Sequence, residues 1–242
     1  IRGDRSRVAE GAETIVTAMT EFNSLNAEIS DEIIESFQIV WNGLGKPGAW
    51  WSGAERIEIA KEIRDSRPPS LGERITDFSS YSNKGTKGIT PFVRAVVRKI
   101  THESSSIDRN TYEQIVGEIG EDRYAELTAI VSQLVPIDRL HDILGYNRAE
   151  LPIPESGNPS GERPKGLTTG IAFLPTFPAN GLPHIAVSLS LAQADNARRM
   201  LLVRSMYSGT DFNQMIWTHR NLSRQQIELV AARTSAINEC FY

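Results

Sequence analysis

Apolar residues recur every three or four positions along most of this chain, the spacing of helices that bury one face. Ser30 opens the first such segment, and Ile33, Ile34, Phe37, Val40 and Trp41 fall on one side of it. The glycine-rich turn from Gly43 to Gly48, with Pro47 inside it, ends that helix. Ser52 and Glu55 form a capping-box pattern ahead of Ile57, Ile59, Ala60 and Ile63, and Pro68-Pro69 stops the run. Thr90 with Pro91 at the first helical position predicts another helix through Phe92, Val96, Val97 and Ile100. A short helix is expected from Thr111, then a longer apolar one from about Asp122 to Val135. Ile137, Leu140, Ile143 and Leu144 repeat the helical spacing between Pro136 and Gly145, and Gly145 stands where a C-terminal cap belongs.

The character changes between Leu151 and Pro183, where seven of the 12 prolines fall among five glycines. Such a stretch cannot be helical. It reads as an ordered or semi-ordered connector, and Ile171, Phe173, Leu174 and Phe177 suggest that part of it packs on a surface. Helical spacing resumes from Ala192 to Tyr207. Ser223 and Gln226 form a second capping box before Ile227, Val230, Ala231, Thr234 and Ile237. Ile185–Leu191 alternates only weakly, so no strand is expected and the fold class is all-α.

Composition narrows the function classes. The 242 residues carry a net charge of -4 and lack the basic face that nucleic-acid binding requires. No apolar run approaches the roughly 20 residues of a membrane span. No signal-peptide pattern opens the chain, although Ile1 rather than Met stands first, as in a processed or incomplete chain. The lone cysteine, Cys240, has no internal disulfide partner, which suits a reducing compartment, and a cytoplasmic protein is expected. By itself such a cysteine reads as a small buried hydrophobe.

The segment Leu222–Tyr242 adds a more specific signal. It places Glu228 on a capped helix, Cys240 twelve positions later, Asn238 just before the cysteine and Tyr242 just after it. These residues resemble the start of the redox motif of the alkylhydroperoxidase D / carboxymuconolactone decarboxylase family. There a capped helix carries a glutamate, and a Cys-x-x-Cys pair and a histidine follow. The resemblance covers about twenty residues and implies an AhpD-like helical fold with two related repeats. On that reading residues 1–150 are a divergent N-terminal repeat, 151–183 the connector and 184–242 the redox-type repeat, incomplete at its C-terminal end. The likeness of Ile57-Glu58-Ile59-Ala60 to Ile227-Glu228-Leu229-Val230 agrees with a repeat, with Ser70 at the position of Cys240; two amphipathic helices can also share such a pattern by chance.

The family's chemistry is thiol-dependent reduction of hydroperoxides. By this resemblance Glu228 is the outer end of a proton relay, Cys240 the resolving thiol, and Tyr242 a residue that helps orient the relay. The implied partners are a small-molecule peroxide and a thiol electron donor, in a homo-oligomer. The sequence ends at Tyr242, one residue before the position of the second redox residue. The expectation is that position 243 is cysteine, or selenocysteine with its UGA codon read as a stop; a chain that truly ended there would show little activity. Without the resemblance, Glu228 reads as a solvated helix carboxylate, or as part of an ion pair with Arg224 or Arg233. The alternatives are a carboxymuconolactone decarboxylase-like lyase, which an arginine-lined pocket for an acidic substrate would favour, and a non-catalytic helical scaffold.

Other residues receive ordinary roles. His102, His141, His184 and His219 lack metal-ligand spacing and read as surface or capping residues, so no metal is assigned. Trp41, Trp50 and Trp51 mark a core. Asp211, Arg220 and Asn221 are expected in a loop and cap. No glycine-rich phosphate loop is present, and no cofactor is expected.

Overall fold

The computed structural model describes residues 29–84, 88–209 and 221–238. They form an all-α structure with no strand among the described residues; the one isolated bridge joins Thr168 and Thr176. The helices are α1 (Asp31–Leu44), α2 (Gly53–Asp65), α3 (Pro91–Glu103), α4 (Arg109–Ile119), α5 (Glu121–Leu144), α6 (His184–Val187), α7 (Gln193–Val203) and α8 (Arg224–Ile237). A five-residue π-helical turn, Arg204–Ser208, continues α7. No described helix is long and apolar enough to cross a membrane.

The helix starts follow the local signals. Ser52 and Glu55 exchange both bonds of the capping box at the head of α2, and Thr90 Oγ1 accepts the Val93 N–H ahead of Pro91. Ser223 and Gln226 do the same at α8. The cap of α4 is Asp108, three residues before Thr111, whose N–H it accepts at 2.8 Å. Gly145 ends α5 in the left-handed region, at φ 73°.

Pro136 does not divide the long helix as its sequence position suggests. Helix α5 runs unbroken for 24 residues with Pro136 inside it. The proline forfeits one backbone hydrogen bond. Burial of Leu134, Ile137 and His141 on either side holds both halves to one axis. Helix α5 is the central element, packed against α2, α3, α4 and α7. Phe37, Trp41, Trp51, Ile59, Ile130 and Leu191 are among the largest fully buried side chains of the core between these helices.

Residues 151–183 are non-helical and begin as a strap along the turn that links α1 to α2. The Glu155 N–H donates to Gly45 O at 2.8 Å, Ser160 N–H to Gly48 O at 3.1 Å, and Gly161 N–H to Ala49 O at 2.8 Å. Trp41 Nε1 donates to Glu150 O, 2.8 Å away, just ahead of the strap. Further along, Leu174 is buried and Phe173 stacks on Tyr112 with centroids 5.1 Å apart, whereas Ile171 stays exposed.

Candidate functional site

Helix α8 holds Glu228 one turn behind its capping box. The Tyr207 hydroxyl donates to Glu228 Oε2 at 2.9 Å, and Arg224 Nε lies 3.8 Å from Oε1. The carboxylate is 42% exposed, so the pair with Arg224 is a surface contact rather than a buried one. Tyr207 belongs to the π-helical turn, a geometry that recurs at functional sites. That turn is anchored from behind: Ser205 Oγ meets Ser36 Oγ of α1 at 2.8 Å in a buried contact, and Ser208 is fully buried. Desolvation, then the hydrogen bond to Glu228 and its negative charge, raise the Tyr207 phenol above its ordinary value.

Sequence reasoning treated Tyr207 only as the end of a helix. Nothing in the spacing marks a π turn, because the extra residue per turn follows from tertiary packing. Cys240 and Tyr242 lie outside the described residues, as do His219, Asp211 and Arg220. Of the apolar series on α8, Ile227 is buried, while Val230 is 59% and Ile237 64% exposed. Ser70 caps a 3-10 turn, Leu71–Glu73, through a capping box with Glu73. The two similar tetrads lie in different surroundings: Ile59 of α2 is fully buried and Leu229 of α8 is 71% exposed.

A buried ionic cluster forms the centre of the molecule. Arg56 of α2 donates to Glu126 of α5 through Nη1, and to Asp195 of α7 through Nη1 and Nη2 at 3.0 and 2.8 Å. Its Nε donates to Leu44 O at 3.2 Å. Asp195 also accepts from Gln133 at 3.0 Å and Arg198 at 2.7 Å, and Glu126 Oε2 accepts the Trp50 N–H at 2.7 Å. Two arginines thus balance two carboxylates. Burial alone would raise Asp195, but Arg56 and Arg198 hold it down at about 2. Glu126, sharing Arg56 and facing the charge of Asp195, is pushed up by desolvation. The Arg56 guanidinium and both carboxylates have protein partners, and Arg198 Nε is the one buried nitrogen of the cluster without a hydrogen bond among the described residues, an arrangement that fits a structural lock between α2, α5 and α7. The sequence carried a faint signal of it: Arg56 occupies an apolar-face position, three before Ile59 and four before Ala60.

The tryptophans behave as core residues: Trp41 and Trp51 are buried and Trp50 is half-buried. His141 departs from the surface role expected of it. It is buried, its Nδ1 lies 2.8 Å from Ile137 O, and its ring stacks on Phe37. The apolar stripe of α5 faces α1 at that point, and burial in a close-packed interior is the physical reason. His102 is half-buried against Ser66, and His184 is exposed at the start of α6. Among the described residues no group of three or more His, Cys, Asp or Glu could hold a metal ion.

A cavity of about 190 Å³ opens between α2, α3 and α5. Arg64, Arg67, Arg139 and Arg148 line it, together with Ser66 and His102. Asp138 is the carboxylate on the wall. Arg64 meets Asp138 through Nε and Nη2, both at 2.8 Å.

Compared with known protein families, curated proteins and solved structures, the chain has no significant match.

Proposed function

We propose that this chain belongs to a thiol- or selenol-dependent peroxidase of AhpD-like fold that reduces hydroperoxides with a thiol electron donor. Two related helical repeats and assembly as a cytoplasmic homo-oligomer complete the reading. The observation that carries it is the hydrogen bond from Tyr207 to Glu228. A carboxylate meant to pass protons must be oriented, and a phenol on an anchored π turn does that better than a lone surface arginine.

In this reading the second redox residue of the family's motif supplies the attacking thiolate or selenolate. It gives an electron pair to one peroxide oxygen, the O–O bond breaks, and the departing alkoxide takes a proton and leaves as alcohol. The sulfenic or selenenic acid is then displaced by the Cys240 thiolate with loss of water, forming a disulfide or selenylsulfide. Two equivalents of external thiol reduce that bond and restore both groups. Glu228 serves the outer end of the proton path, and Tyr242 lies between the redox positions.

Native protein supplied with cumene hydroperoxide and dithiothreitol tests this directly. Multiple-turnover peroxide consumption is expected to fall in Cys240→Ser, which leaves the sulfenic or selenenic acid to slower resolution by the external thiol, and to fall about 100-fold in Glu228→Gln, within the range for a group that moves protons. Equal consumption by native protein and both variants would remove the reading, as would no consumption by the native protein.

A further inference from the structure

The arginine-lined cavity is built from α2, α3, α5 and the segment after α5, not from the helix that carries Glu228. Its wall holds four guanidinium groups against the single carboxylate of Asp138. Two more carboxylates reach these arginines. Asp142 accepts from Arg148 Nε and Nη2 at 2.8 and 2.7 Å, and Glu73 accepts from Arg67 Nη2 at 2.8 Å. Arg139 approaches Asp142 only to 3.7 Å and makes no hydrogen bond among the described residues. Three carboxylates therefore face four arginines, and Arg139 pairs with Asp142 by charge alone.

The cavity is also rigid where it matters. Arg64 is clamped between the bidentate bond to Asp138 and the ring of Trp41, whose centroid lies 5.5 Å from Cζ. Only Nε and Nη2 of Arg64 are engaged, which leaves Nη1. The Ser66 hydroxyl gives its one proton to Ile63 O at 3.0 Å and accepts His102 Nε2–H at 2.9 Å, so the imidazole is held at the edge of the cavity. A guanidinium already held in place by a carboxylate loses little further entropy when its remaining N–H groups bind an oxyanion. A volume below the roughly 300 Å³ of common ligand pockets limits the guest to a few heavy atoms.

We propose that this cavity binds a small oxyanion with at least two acceptor oxygens, either a phosphate group or a short dicarboxylate, held chiefly by Arg64, Arg139 and Arg148. The two sources share the recognition chemistry and differ in geometry, tetrahedral against planar.

Calorimetric titration of the native protein with sodium phosphate, and separately with sodium succinate, tests this at an ionic strength kept constant with chloride. Saturable binding of at least one is expected, and whichever binds assigns the ligand class. Arg139→Gln, an exposed position that folding tolerates, should weaken the binding at least tenfold. Arg64→Lys, which keeps the charge and loses the open Nη1 donor, should do the same. Arg109→Gln, outside the cavity, should change nothing. The proposal is overturned if neither anion binds saturably, or if Arg139→Gln binds as tightly as the native protein. A failed peroxide assay leaves this result untouched, because no residue is shared.

Discussion

Arg56 and Asp195, 139 residues apart in the chain, meet through two hydrogen bonds of 3.0 and 2.8 Å in the closed interior. That pair ties the helix following the first glycine-rich turn to the helix following the connector. Breaking it from one side leaves a buried charge without its main counter-ion.

Arg56→Met should therefore cost about 3–5 kcal/mol, the usual penalty for orphaning a buried ion. Glu126 and Asp195 would both be left facing each other. Replacing Arg56, Glu126 and Asp195 together by apolar residues of similar volume should cost less than Arg56→Met alone. Urea denaturation of the two variants compares them, and a triple variant less stable than the single one would refute the lock.

Acid should weaken the same cluster in a defined window. The Asp195 carboxyl sits at about 2 in the folded protein against 3.8 when unfolded. Its stabilisation is complete above the unfolded value and is lost as pH falls through the folded one, about 2 kcal/mol in all. Glu126, raised by burial, acts in the opposite sense and gains from protonation as pH falls toward its unfolded value. Urea midpoints measured from pH 5 to pH 2 should fall less steeply for Asp195→Asn than for the native protein, and equal slopes would contradict the assignment.

Gly48 should not tolerate a side chain. A Cβ there would land on Glu126 Oε1 and 2.7 Å from Arg56 Nη1. Gly48→Ala should cost about 1–3 kcal/mol through overpacking. Gly72→Ala, with nothing within 4 Å of its Cβ, serves as the neutral comparison. Thermal melts of the two variants decide this, and equal melting temperatures would show that the cluster moves aside freely.

The Tyr207–Glu228 bond has a spectroscopic signature. Desolvation raises the phenol most, and the hydrogen bond to Glu228 and its charge add to it. Glu228→Gln removes the charge and should lower the Tyr207 ionisation toward the ordinary tyrosine value, read by absorbance titration of tyrosinate against a Tyr207→Phe control. Stability should change by about 1 kcal/mol or less, as for a single half-exposed hydrogen bond. An unchanged titration would mean that the two side chains do not meet in solution.

Local chemistry made much of the helical layout readable. Ser52 with Glu55, Thr90 with Pro91, Gly145 and Ser223 with Gln226 all act within one turn of themselves, so their effect survives without knowledge of the fold. Pro136 was misleading because its local cost is real but small beside the burial of Leu134, Ile137 and His141. The exposure of Val230 was not readable either, since an apolar position states a preference for burial without naming what covers it.

The sequence by itself determined which stretches are helical, where most of them start and stop, and which stretch is too rich in proline to join them. Those properties depend on backbone dihedrals and hydrogen bonds that close over three or four residues. Only the tertiary structure decided that Arg56 finds Asp195, that four arginines share one cavity, and that Tyr207 turns to Glu228. Charges attract over distance with no preferred spacing along the chain. Their partners are therefore set by how the helices pack, which no local pattern encodes.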